Sequence, residues 1–153
     1  MQVKNTVQYA MKWKDYALLY QYLKPYVELS DYPKNSYALA GYIAMCAYFE
    51  ESDTSILQDA ISWYEKSLAY NYNEELSSIA LFSLYFFNFR ENENKIVKLI
   101  PIAMKYHTSQ SLMEEVAKCQ DNDSKCFEDV MGQAFKLIDD MTGKIYWNNA
   151  RRY

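Results

Sequence analysis

Glycine and proline are scarce in this chain, with three of each in 153 residues. A many-stranded protein turns at short intervals, and its turns draw heavily on both residues. Their scarcity argues against a sandwich or barrel and favours long helices. Histidine is scarcer still. His107 stands alone beside Thr108 and Ser109, at the expected end of a helix, where a positive side chain is ordinary. A metal centre needs several convergent ligands, and no H-E-x-x-H, paired C-x-x-C or H-x-E pattern supplies them. There is no glycine-rich phosphate loop and no G-x-S-x-G elbow. The run from Asp121 to Lys125 begins like a calcium loop but lacks the central glycine and closing glutamate, so it reads as a polar turn and helix cap. Glu114-Glu115 and Asp139-Asp140 are sequence neighbours, which point to different helix faces and make poor acid–base pairs. No catalytic residue, metal or cofactor is expected.

Long hydrophobic runs are also missing. None reaches the roughly 18 residues of a membrane span, and the opening M-Q-V-K-N-T-V-Q-Y-A-M-K-W-K has no uninterrupted apolar core of a secretory leader. A cytoplasmic location is expected. The three cysteines, Cys46, Cys119 and Cys126, form an odd set without C-x-x-C spacing. They read as reduced thiols, with a Cys119–Cys126 bridge across the polar loop as the alternative.

Apolar residues make up half the chain and aromatic residues 17%, with sixteen tyrosines. That content is enough for a packed core in one domain. The formal charge is −4 and acidic residues concentrate after residue 50. An acidic balance disfavours phosphate-backbone binding, which needs clustered Lys and Arg. The one tight basic pair, Arg151-Arg152, is too small to track a nucleic acid. Neither nucleic acid nor membrane is an expected partner. A basic protein would suit this field.

The periodicity predicts a helix over Val3–Met11 and another over Tyr16–Leu29, which buries Leu19, Leu23 and Val27 and is kinked or broken at Pro25. Asn35 or Ser36 is placed to cap an uncharged helix over Tyr37–Phe49, and such a helix is buried between others. Within it Gly41, Ala40, Ala44 and Ala47 allow close approach of a neighbour. Ser55-x-x-Gln58 resembles a capping box that leads into Asp59–Tyr70. Asn73 caps Leu76–Phe89, which is again apolar on nearly every side. After R-E-N-E-N comes Lys95–Tyr106, interrupted by Pro101, then a short helix opened by Ser111-x-x-Glu114. A last helix covers Lys125–Ile138 with Phe127, Val130, Met131, Phe135 and Ile138 as one stripe. The tail from Thr142 reads as a short helix, an extended arm or a partly disordered segment.

The stretch D-A-I-S-W-Y-E-K-S-L-A-Y-N-Y from Asp59 to Tyr72 carries Ala60, Trp63, Tyr64, Lys66 and Leu68 on the second-helix pattern of a tetratricopeptide or Sel-like repeat, with Ser67 in place of the usual alanine. Ala40-Gly41 occupies the usual Leu-Gly position of the first helix. The chain over residues 37–72 therefore resembles that helical-repeat superfamily. The resemblance implies an all-α, right-handed array of antiparallel helical hairpins, about three pairs to residue 107, closed by capping helices over 110–140. It also implies a concave protein-binding surface rather than a reaction centre. Helix faces left over after the core stripe nominate Trp63, Tyr42, Tyr48, Tyr70 and Tyr72 as partner-binding residues. A half-exposed Trp63 would suit a binding hot spot, since Tyr64 fills the inward slot, but the resemblance favours packing Trp63 between adjacent hairpins. Size, acidity and the thin chemistry point to an immunity protein or antitoxin that neutralises a basic toxin. The alternatives are a secretion chaperone holding an extended effector segment and a solenoid adaptor.

Overall fold

The computed structural model describes residues 15–120 and 123–147, leaving aside the side chains at 88–90. The helix expected over Val3–Met11 lies outside the described residues. All regular structure among them is helical. The helices are α1 (Tyr16–Val27), α2 (Tyr37–Glu51), α3 (Thr54–Ala69), α4 (Glu74–Tyr85), α5 (Phe89–Ala103), α6 (His107–Lys118) and α7 (Ser124–Tyr146), with 3-10 turns at Lys34–Ser36 and Phe86–Asn88. The chain divides into two compact units, Met1–Tyr72 and Asn73–Tyr153.

In the first unit α2 packs against both α1 and α3. That position explains the uncharged stretch from Tyr37 to Phe49, because a helix covered on both sides leaves charge only to its end, here Glu50 and Glu51. Gly41 sits where α3 crosses α2. A Cβ built there would stand 2.7 Å from Cδ2 of Tyr64, whose ring is fully buried. The close approach expected of this glycine is therefore made to Tyr64.

Helix ends are closed from several directions. Asp15 accepts from the Leu18 amide, while both carboxylate oxygens of Glu50, across on α2, accept from the amides of Tyr16 and Ala17 at 3.1 and 2.9 Å. Three of the donors exposed at that N-terminus thus find partners. Asp53, rather than the Ser55 box, caps α3. It accepts from the Ser55 amide at 2.9 Å and hydroxyl at 2.8 Å, which holds its carboxyl below the usual range. Ser52, at φ 57°, ends α2 in the left-handed region. Ser67, the departure from the repeat pattern, donates its hydroxyl to the Tyr72 carbonyl at 2.8 Å and ties down the turn after α3.

Helix α1 runs through Pro25 and ends two residues later. The proline lies on the exposed side with Gln21, so the Gln21 carbonyl that loses its partner faces water. Tyr20 on α1 donates to Asp59 on α3, and Lys24 Nζ reaches the same carboxylate oxygen at 2.7 Å. Burial, then the bond to Asp59, pushes the Tyr20 phenol up to about 12.

In the second unit α4 is covered by α5 and α7, again matching an apolar, uncharged run. Its buried hydroxyls bond back to their own helix, Ser78 to the Glu75 carbonyl and Ser83 to that of Ile79. Several boundaries depart from the expected ones. The predicted helix over Leu76–Phe89 tightens to a 3-10 turn at Phe86, and the expected R-E-N-E-N loop is instead the start of α5. His107 opens α6 rather than ending its predecessor. Helix α7 continues eight residues past Ile138, to Tyr146. Asp123 caps α7 by accepting from the Cys126 amide at 3.0 Å, as a polar turn and cap should. Between α6 and α7, Cys119 and Cys126 are joined as a disulfide with their Cα atoms 5.6 Å apart, and Cys46, on α2, lies outside that bridge. The reading of all three as reduced thiols is corrected at this pair. The turn brings the two backbones within bridging range.

Candidate functional site

The second unit carries an open apolar groove between the 3-10 turn Phe86–Asn88 and the N-terminal half of α7. It arises from two local events. Where α4 tightens at Phe86, the register of the helix changes, and Phe87 is left 48% exposed. On α7 the expected single stripe divides into two rows. Val130, Ala134 and Ile138 are buried, whereas Phe127, Met131 and Phe135 are only partly covered. Each row follows the four-residue spacing of one helix face. The second row lines a cavity of about 790 Å³ together with Ser83, Phe86, Phe87, Glu128 and Gly132.

Two aromatic pairs brace the walls. Phe86 lies 6.3 Å from Phe127 at an interplanar angle of 35°, and Phe87 lies 6.1 Å from Phe135 at 30°. Phe82 anchors this system to the core by an edge contact with Phe86 at 4.9 Å. Between the pairs, Gly132 opens a notch, since a Cβ built there would meet nothing within 4 Å. The polar lining is sparse. Ser83 spends its hydroxyl proton on the Ile79 carbonyl. Glu128, exposed at the rim, is the charged residue among the described lining. A trough of this size and character is suited to holding an apolar surface.

The five tyrosine and tryptophan positions nominated from sequence all lie in the first unit, and the fold treats them differently. Trp63 is 3% exposed, its ring 5.9 Å from Tyr20, so it is packed between helices, in keeping with the favoured packed reading, and is not the half-exposed residue of the alternative. Tyr42 is likewise buried and meets Tyr16 edge-on at 6.0 Å. Tyr48 is half-buried beside Phe49 at 5.8 Å. Tyr70 and Tyr72 are exposed near the end of α3. Tyr70 stacks on Tyr37 at 5.7 Å, with Lys34 Nζ 4.8 Å above its ring and Lys66 Nζ 5.5 Å above that of Tyr37. Trp63 and Tyr42 lost their outward faces because α1 covers the side of the α2–α3 hairpin to which they point.

The groove residues were read as core from sequence. One signal pointed elsewhere. The apolar residues of α7 span two adjacent rows, wider than one buried stripe needs, with a glycine flanking them where no turn occurs. Among the described residues, no group of three or more His, Cys, Asp and Glu side chains is placed to hold a metal ion. No described helix is long and apolar enough to cross a membrane. No family model, curated protein or solved structure matches this chain.

Proposed function

We propose that this chain is a non-catalytic protein-binding module of the tetratricopeptide or Sel-like kind, and that the groove of its second unit is the docking site. The observation that carries this reading is the groove itself: four phenylalanines and a methionine around about 790 Å³, open to solvent, with one carboxylate at the rim. Aromatic side chains and methionine are enriched at protein interfaces, where they supply adaptable apolar contact. The hairpin of α2 and α3, closed by Tyr64 on Gly41, supports the helical-repeat assignment. The specific role we favour is that of an immunity protein that covers a basic toxin, in keeping with the charge of −4.

Co-expression with the product of the adjacent gene tests this. Rescue of growth together with a stable complex is the expected result, and Gly132→Leu, which fills the notch, should abolish both while leaving the fold intact. A harmless neighbour whose product does not co-purify refutes the immunity role. A complex that forms unchanged with Gly132→Leu removes the groove as its site.

A further inference from the structure

We infer that the segment received by the groove is an amphipathic α-helix, with two bulky apolar side chains one turn apart and a Lys or Arg beside them. This rests on the reading of the groove as a protein-docking site and adds what must enter it. An extended segment brings backbone N–H and C=O groups that need partners, and leaving them dry and unpaired is costly. The groove offers almost none. Its walls are helices and a 3-10 turn, whose backbone groups are engaged internally, and no sheet edge exists among the described residues to which a strand could add. The Ser83 proton is already committed to Ile79. A helix arrives with its backbone bonds made and presents side chains alone, which is what a lining of phenyl rings can accept.

Spacing supports the same occupant. Phe127, Met131 and Phe135 succeed one another every four residues, about 6 Å along the axis of α7. A partner helix repeats its own side chains at that interval, so its ridges fall between those of α7. Gly132 marks a place where a large side chain can drop below the ridge, because a Cβ built there meets nothing within 4 Å. Charge then sets the preference. Glu128 lines the groove one turn before Gly132, while Lys136, one turn after it, does not line the cavity. A base on the visiting helix meets a carboxylate at the rim, and an acid there meets repulsion.

The test uses three labelled peptides on an alanine–glutamine host, read by fluorescence anisotropy against the full chain. The first carries two leucines four residues apart and a flanking lysine, the second has glutamate for that lysine, and the third has the lysine set interrupted by a central proline. The lysine helix should bind about threefold tighter than the glutamate helix, as befits a rim charge. The proline peptide should bind about tenfold weaker or worse. Glu128→Gln should erase the preference for lysine, and Gly132→Leu should weaken the lysine helix by about tenfold or more. Circular dichroism and a urea midpoint at or above wild type would show that both variants are folded.

Equal binding of the proline peptide, or no preference for lysine, overturns the helix inference. If such peptides fail while Gly132→Leu still destroys the complex with the natural partner, the docking site stands and the helical occupant falls. If that complex survives Gly132→Leu, both fall.

Discussion

Gly41→Ala and Gly132→Ala make the same chemical change in two helices, and the structure gives them opposite signs. In either helix, replacing glycine by alanine gains about 0.5–1 kcal/mol by removing backbone entropy from the unfolded chain. At Gly132 nothing lies within 4 Å of the new methyl group, so that gain should appear nearly whole. At Gly41 the methyl would stand 2.7 Å from Tyr64 Cδ2 and 2.9 Å from Cγ and Cε2. Carbon atoms settle at about 3.5–4.0 Å, so the ring or the helix must retreat by roughly 0.8 Å or more. Tyr64 is fully buried, and the atoms struck are the body of its ring rather than a free end. Overpacking of this kind costs about 1–3 kcal/mol. The net expectation is a loss of about 1–2 kcal/mol for Gly41→Ala and a gain of about 0.5–1 kcal/mol for Gly132→Ala, a separation of about 1.5–3 kcal/mol. Urea unfolding followed by tryptophan fluorescence resolves this as a fall in midpoint of about 0.5–1 M for the former, at unchanged slope. A double-mutant cycle isolates the cause. In a Tyr64→Leu background the Gly41→Ala change should become neutral or stabilising. Additive effects across that cycle, or a Gly41→Ala protein as stable as wild type, would refute the packing argument.

Ser52 holds a left-handed φ of 57° at the end of α2, and Ser52→Gly should raise stability by about 0.5–1 kcal/mol, measurable as a higher urea midpoint. The Cys119–Cys126 bridge closes a short loop across a separation of seven residues, so replacing both with serine should cost at most about 2–2.5 kcal/mol of chain entropy. Non-reducing mass spectrometry checks the bridge, and calorimetry the cost. The Tyr20 phenol lies above its ordinary value when folded, at about 12. Its contribution is therefore complete below about pH 10, the unfolded value, and is lost as pH rises through about 12. Tyr20→Phe should flatten the loss of stability over that window, and a profile identical to wild type would contradict the assignment.

The groove shows how far a pattern can be read. Phe127, Val130, Met131, Phe135 and Ile138 share one side of a helix, and periodicity groups them correctly. It does not say which neighbour covers them. Val130 and Ile138 meet the core, whereas Phe127 and Phe135 reach the 3-10 turn and stay partly open. Trp63 and Tyr64 illustrate the converse. Adjacent positions should point to different sides, yet both are buried because α1 covers the second side through Tyr20.

By itself, then, the sequence determined the helical character, the two helices whose long uncharged runs become covered centres, and the fit of a small residue at Gly41. Each follows from composition and from side-chain periodicity along one element, which are local properties. Only the tertiary structure decided that Asp53 rather than Ser55 caps α3, that His107 begins a helix, that Cys119 meets Cys126, and that the α7 phenylalanines border a groove. Those outcomes depend on which surfaces and backbones come together in space. Covering a side chain takes an atom from another element, and no spacing within one helix specifies where that element lies.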